Sequence, residues 1–261
     1  MQDQEYTYVK REIKSLVGVD LDCYKAPQVQ RRLRIFLLRS GHQTWPDFFK
    51  GIRGDRDSLA RLRDYLTINV SSFFRDEKKY EQLQTTILPE LLKKRRQLRI
   101  WSAGCSRGQE PYTLAIALAE MTGPRTRHRI LASDLDESAL AIAKAGGPYT
   151  DDDVAGVGRL LNRYFEKRED GTYCKPSLRE RVTFRQQNLL ADRFDADLDL
   201  IVCRNVVIYF TAEVKDRLYR QFHDALRPGG ILFVGGTELV PKAREIGYES
   251  AGISFYRRQA A

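Results

Sequence analysis

The chain has 261 residues, room for one large domain or a large and a small one, and its 42% hydrophobic and 30% charged content is that of an ordinary globular protein. A net charge of +9 implies an attraction to something acidic (nucleic acid, an anionic membrane surface or an acidic protein), the alternative being a solvated basic surface with no specific partner. No apolar run approaches the ~20 residues of a membrane span, no signal-peptide pattern opens the chain, and the cysteines (Cys23, Cys105, Cys174, Cys203) and histidines (His42, His128, His223) are scattered, so the expectation is a reduced, cytoplasmic protein without metal, membrane insertion or disulfides.

Along the chain, the first ~70 residues carry helical periodicity and no convincing strand. After Pro27, the apolar residues Val29, Leu33, Phe36 and Leu37 mark one buried helix face, and Gly41 is a plausible stop. Lys25, Arg32 and Arg39, seven apart, form a stripe away from that face; with Arg31 and Arg34 they make a basic run that contains no acidic residue. Further helices are expected over 45–50 and 58–65, the latter with Ser58 as candidate cap. This predicts a small all-α domain over 1–70. The stretch Thr67 to Asp76 is the junction, with Asp76 placed to cap a helix near Glu77 and Pro89 to break or restart it.

From Leu98 the pattern alternates between strands and helices, which predicts a parallel sheet with helices on both faces over 71–261. The expected strands are 98–103, 129–133, 182–186, 198–203 and 231–235; the expected helices are 110–121, 137–145 and 212–226, the last ended by Pro228-Gly-Gly230. Asp170-Gly171, between two short β-prone runs, signals a hairpin and hence a small antiparallel β-subdomain inserted at about 160–182.

The chemistry gathers at the carboxyl ends of these strands, where ligands of open α/β sheets sit. The run Arg99-Ile-Trp-Ser-Ala-Gly-Cys-Ser-Arg-Gly-Gln-Glu-Pro-Tyr112 reads as a strand, a tight turn and a helix start, with Gly104 and Gly108 letting the backbone bend and approach a ligand. Glu110 beside the helix start is wrong for a phosphate and suits an ammonium or sulfonium. The run matches neither G-x-G-x-x-G nor a P-loop, and alone it is compatible with an ordinary unliganded turn. Asp134 after strand two is placed to accept bonds from ribose hydroxyls, while Asn188-Leu189 and Arg204-Asn205-Val206 follow strands three and four. Each Asn alone reads as a turn or capping residue; together the four strand ends indicate a nucleoside-containing ligand.

The chain resembles the CheR-type chemoreceptor glutamate methyltransferases, which use S-adenosylmethionine. The resemblance is carried by Asn69-Val-Ser-Ser-Phe-Phe-Arg-Asp76, Trp101-Ser-Ala-Gly-Cys-Ser-Arg-Gly-Gln-Glu-Pro-Tyr112, Ala132-Ser-Asp-Leu-Asp136 and Cys203-Arg-Asn-Val-Val-Ile-Tyr-Phe210, in the family's order, with Arg227-Pro-Gly-Gly-Ile-Leu-Phe-Val-Gly-Gly-Thr-Glu238 a weaker fifth block. It covers almost the whole chain, including Tyr24, Lys25, Arg31 and Arg32 in the helical domain. It implies a Rossmann-like class I methyltransferase sheet; cofactor contacts at Asn69, Ser71, Arg75, Gly104, Glu110, Asp134, Asn188, Leu189, Asn205 and Val206; catalytic roles for Arg75 and for Tyr209 near the transferred methyl; and S-adenosylhomocysteine as product. Arg107-Gly-Gln109 stands where Thr-Gly-Glu is common, which removes one negative charge from the turn.

A glutamate substrate is already a carboxylate nucleophile at neutral pH, since its ordinary pKa is about 4.3. The resemblance further implies that Lys25, Arg31, Arg32, Arg34 and Arg39 dock on the acidic helical bundle of a receptor, and that the enzyme is a monomer without a nucleic-acid partner. Its short Glu169-Asp-Gly-Thr172 loop leans towards relatives that need no receptor tether. The alternatives are a nucleic-acid methyltransferase, against which stand the missing Asn-Pro-Pro-Tyr motif and the few aromatics in the basic run, and a non-catalytic cofactor-sensing module.

Overall fold

The structure, a computed structural model, describes residues 1–67 and 71–259. It divides into two units, Met1–Ile68 with Ile208–Lys215, and Asn69–Val207 with Asp216–Ala261. The segment 208–215, which the sequence reading leaves in the larger domain, thus groups with the amino-terminal helices.

The first unit is built from α1 (Asp3–Val17), α2 (Ala26–Arg39), α3 (Trp45–Ile52) and α4 (Arg56–Leu66). Each helix buries one apolar stripe: Val9, Ile13 and Val17 on α1, Leu33 on α2, Phe48, Phe49 and Ile52 on α3, and Leu62 on α4. Trp45 stacks on Phe49 at 5.5 Å, and Phe36 meets Phe48 and Tyr65 at 5.4 and 4.7 Å. The cap of α4 is Asp55, whose carboxylate accepts the Asp57 N–H; Ser58, the expected cap, lies inside the first turn and donates to Asp55. Tyr24 pairs with Phe210 across an isolated bridge, and the Lys25 N–H donates to the Tyr209 carbonyl at 3.0 Å.

The second unit begins with α5 (Glu77–Gln82), one π-helical turn (Leu83–Ile87) and α6 (Leu88–Lys94), so Pro89 sits where the helix restarts. Its main sheet comprises β1 (Arg99–Ala103), β2 (Arg129–Asp134), β5 (Val182–Gln186), β6 (Leu198–Cys203), β7 (Leu226–Val234), β8 (Tyr248–Gly252) and β9 (Phe255–Arg258), in the order β5-β2-β1-β6-β7-β9-β8. The run from β5 to β7 is parallel; β9 pairs antiparallel with β7 and β8 with β9, so the sheet is mixed where a parallel one was expected. All of β6 is buried, as a strand covered on both faces must be. After β1, α7 (Gln109–Thr122) is buried continuously from Gln109 to Ala119; after β2 come α8 (Glu137–Ala145) and the short α9 (Asp151–Val154). The Pro228-Gly-Gly230 run, expected to end a helix, lies inside β7, and the β6–β7 pairing shifts register between Leu198 and Leu200.

Between β2 and β5 the chain inserts a separate antiparallel ribbon, β3 (Phe165–Arg168) and β4 (Gly171–Cys174), turning at Glu169-Asp170. Among the described residues no helix is long and apolar enough to cross a membrane.

His128 joins β2 to its neighbours and gives the fold a pH dependence. Its Nδ1 accepts the Leu98 N–H at 3.2 Å and its Nε2 lies 3.1 Å from Thr122 Oγ1, an arrangement open only to the neutral ring. Burial, then the nearby Arg181, push its pKa below the usual histidine range, with Asp199 opposing. The unfolded chain therefore takes up the proton first, near the ordinary ~6.5, and the stability present above that pH is lost as pH falls through the depressed folded pKa. The melting temperature should drop more between about pH 7 and about pH 5 for the parent than for His128→Gln. Parallel curves for the two proteins would remove His128 as the cause.

Candidate functional site

The chain runs outward from β1 to β2 and β5 on one side, while β6 and β7 lie on the other, so the sheet order switches between β1 and β6. Their carboxyl ends form the crevice in which α/β sheets hold ligands. Gly104, at φ +81°, turns the chain out of β1, and the N–H groups of Gly104 and Cys105 both donate to the Ser133 carbonyl, at 2.8 and 3.0 Å. A Cβ on Gly104 would be driven into Cγ2 of Val206, which follows β6. Gly108, at φ +91°, caps α7. The structure thus brings Gly104 and Val206 close together.

Charge is concentrated just inside this turn. Glu110 on the first turn of α7 is 9% exposed; its Oε1 accepts from Ser102 Oγ at 2.8 Å and its Oε2 lies 3.5 Å from Arg204 Nη1. Burial raises the Glu110 pKa, Arg204 and Ser102 pull it down, and Glu238 raises it. Arg204, 7% exposed, also donates to Asp76 Oδ2 at 2.5 Å and to the Arg75 carbonyl at 2.9 Å. The sequence reading passes over Arg204 in favour of Asn205 and Val206. The signal lay in the Cys203-Arg-Asn block itself, since an arginine directly after a wholly buried strand must find carboxylates. Glu238 is a second residue it missed. Its Oε2 accepts the N–H groups of Asn205, at 2.9 Å, and Gly235, at 2.6 Å, tying the ends of β6 and β7 together.

Asp134 ends β2 half-buried, with Oδ2 on the Ser106 N–H at 2.7 Å and Oδ1 on the Asp136 N–H at 2.9 Å; burial raises its pKa and these two amides oppose the rise. Asn188 holds a turn: its Oδ1 accepts the Leu190 N–H and its own N–H donates to Asp192, leaving Leu189 buried between them. The Ser71 carbonyl accepts from Gln109 Nε2 at 3.4 Å, so the junction segment reaches the glycine turn. Phe74, Asp76, Ser106 and Asn205 all have positive φ, from 49° to 64°. Such residues are uncommon and cost roughly 1–3 kcal/mol each, and here they border one crevice.

Asn69 lies outside the described residues, and Tyr209 belongs to the first unit. On α2, Lys25, Arg31, Arg34 and Arg39 are exposed and, among the described residues, no carboxylate pairs with them. Arg32 departs from the expected stripe. Its guanidinium reaches the Tyr65 carbonyl and lies 4.9 Å from the Tyr65 ring, while Tyr65 Oη donates to the Arg32 carbonyl at 3.0 Å, so it fastens α2 to α4. Ile35 and Leu38 are exposed on the same helix, Leu38 by 81%. Among the described residues no group of three or more His, Cys, Asp or Glu could hold a metal ion.

Residues 69–253 match the family model "CheR methyltransferase, SAM binding domain", and residues 4–67 match "CheR methyltransferase, all-alpha domain". The chain is 38% identical over 256 residues to a chemotaxis protein methyltransferase of Listeria innocua, covering 97% of both chains. It is 37% identical to a protein of the same name in Listeria monocytogenes, with the same coverage. Chemotaxis protein methyltransferase 1 of Pseudomonas aeruginosa is 37% identical, over 87% of this chain and 86% of its own.

The fit of Val206 over Gly104 is directly testable. Gly104→Ala should destabilise the fold by roughly 2–3 kcal/mol, from the left-handed backbone and the clash together. Adding Val206→Ala should recover the steric share and leave the backbone share. Chemical denaturation in which Gly104→Ala unfolds with the parent would show that the turn is not closely packed.

Proposed function

The chain belongs to the CheR methyltransferase family and carries its S-adenosylmethionine-binding domain, and on that premise we propose that it transfers the cofactor's methyl group to glutamate side chains of chemotaxis receptors. The observation that carries this reading is the face of α2, four exposed cations in a stretch without an acidic residue, joined in one chain to a methyl-transfer domain. Such a face suits a partner rich in carboxylates, and carboxylates are also the acceptors.

The crevice fits the cofactor by its donor set. Glu110 would take the ammonium, and Asp134 the ribose hydroxyls, since its oxygens keep acceptor capacity beyond the backbone N–H groups they hold. Leu189 would face the adenine, with Asn188 holding its turn, and Ser71, Arg75, Asn205 and Val206 would complete the wall. The cofactor's sulfonium supplies an already activated methyl group. Burial raises the Glu110 pKa and Arg204 opposes the rise, which favours the charged form that an ammonium partner needs. The substrate glutamate is ionised at neutral pH and needs no general base. Holding it in line can supply as much as ~7–11 kcal/mol of the barrier. Arg75 and Tyr209 are assigned the orientation of the reacting groups, on the strength of the sequence blocks that contain them.

Two measurements test the reading. Asp134→Ala removes hydrogen bonds to a charged group worth about 2–3 kcal/mol, so titration calorimetry should show S-adenosylhomocysteine binding weaker by one to two orders of magnitude. Parent-like affinity would take Asp134 out of the site. For the receptor, Arg31→Glu with Arg34→Glu should raise the Michaelis constant for a receptor cytoplasmic fragment and leave cofactor affinity unchanged, because the cradle belongs to the other unit. Parent activity should also fall with added salt, as the Debye length shrinks from ~10 Å at 0.1 M to ~3 Å at 1 M. Equal Michaelis constants and equal salt curves in both proteins would make α2 a solvated surface only.

A further inference from the structure

Asp153, the third residue of α9, is bonded to three separate stretches of chain at the cofactor edge. Its Oδ2 accepts the Thr150 N–H and hydroxyl, at 2.9 and 3.0 Å, in a capping box closed by its own N–H on Thr150 Oγ1. Its Oδ1 accepts from Gln109 Nε2 at 3.3 Å, and Arg107 Nη2 lies 3.5 Å from Oδ2; both residues belong to the glycine turn. Its carbonyl accepts the Phe73 N–H at 3.0 Å. The Phe73 ring is held edge-on by Tyr149, at 5.0 Å, and by Phe165 of β3, at 4.9 Å, while the Phe74 N–H donates to Thr113 Oγ1 on α7.

Gln109 completes the junction. Its amide nitrogen also donates to the Ser71 carbonyl, so one NH2 group serves two acceptors, while among the described residues the buried Oε1 meets no donor. A carboxylate at this position would set oxygens against both acceptors, and a negative charge against the Asp153 carboxylate.

We infer that Asp153 is a positioning residue for methyl transfer: with the neutral amide of Gln109 it sets the Ser71–Arg75 segment against the glycine turn, and so fixes the wall of the cofactor site. This rests on the assignment of Ser71 and Arg75 to that wall.

Exchanging the pair tests it. Calorimetry near pH 8 on the full chain should show Gln109→Glu binding S-adenosylhomocysteine about tenfold more weakly, from acceptors facing acceptors and two like charges in contact. Gln109→Glu with Asp153→Asn should recover most of that loss, because the asparagine oxygen keeps the Thr150 cap while its amide donates to the new carboxylate. Melting temperatures of the cofactor-free chains are measured alongside. Parent-like affinity in Gln109→Glu overturns the inference, even if its melting temperature falls, since the network would then be structural alone. A double variant no tighter than Gln109→Glu also overturns it. A parent chain that binds no S-adenosylhomocysteine sinks both this inference and the cofactor reading beneath it.

Discussion

One buried charge organises the catalytic unit. Arg204 cannot lose its proton, so burying it obliges the chain to surround it with compensation. Asp76 and Glu110 provide the carboxylates, the Arg75 carbonyl a further acceptor, and the rings of Tyr80 and Phe233, at 5.3 and 5.0 Å, their negative faces. These partners come from the junction segment, α5, α7 and β7, so compensating one buried positive charge fixes the mutual placement of four elements around the end of β6. Breaking such a pair by removing one partner typically costs about 3–5 kcal/mol, because the other charge is left buried and unpaired.

The same charge reconciles two demands on Glu110. A carboxylate that is to take an ammonium out of water must be shielded, and shielding drives it towards the neutral acid. Arg204 and Ser102 oppose that drift. Asp134 meets the same conflict with backbone amides instead of a cation. The two acids thus differ in what opposes the rise that burial causes: a cation at Glu110, backbone amides at Asp134.

Much of this was legible from the chain. The strands β1, β2, β5 and β6 announce themselves as short apolar runs between helical patterns, and Gly104, Glu110 and Asp134 follow from what must stand at strand ends. What escaped notice has physical reasons. The closing strands β8 and β9 span five and four residues, too few for alternation to register against Glu249, Arg257 and Arg258. Heptad spacing put Arg32 on the open face of α2, but spacing gives the direction of a Cβ and not the reach of a long side chain, which here crosses to Tyr65. Ser58 reads as the cap of α4 in the sequence, but the helix starts earlier and the cap is Asp55, a boundary that only backbone geometry decides. Asp153 lies 44 positions from Gln109 and 80 from Phe73, and no local pattern reports a bond across such intervals.

The left-handed backbone at Phe74, Asp76, Ser106 and Asn205 carries a consequence for how this protein can change. Glycine relaxes in that region at no steric cost, so at each of these positions the conformation itself favours glycine over the residue present. At Asp76 that relief is outweighed by the cost of leaving Arg204 without its carboxylate, but at Phe74, Ser106 and Asn205 selection for heat resistance alone would drift towards glycine and discard the side chains there. Backbone relaxation and side-chain identity pull these three positions in opposite directions, so they are where an evolutionary trade-off between stability and function would be written first.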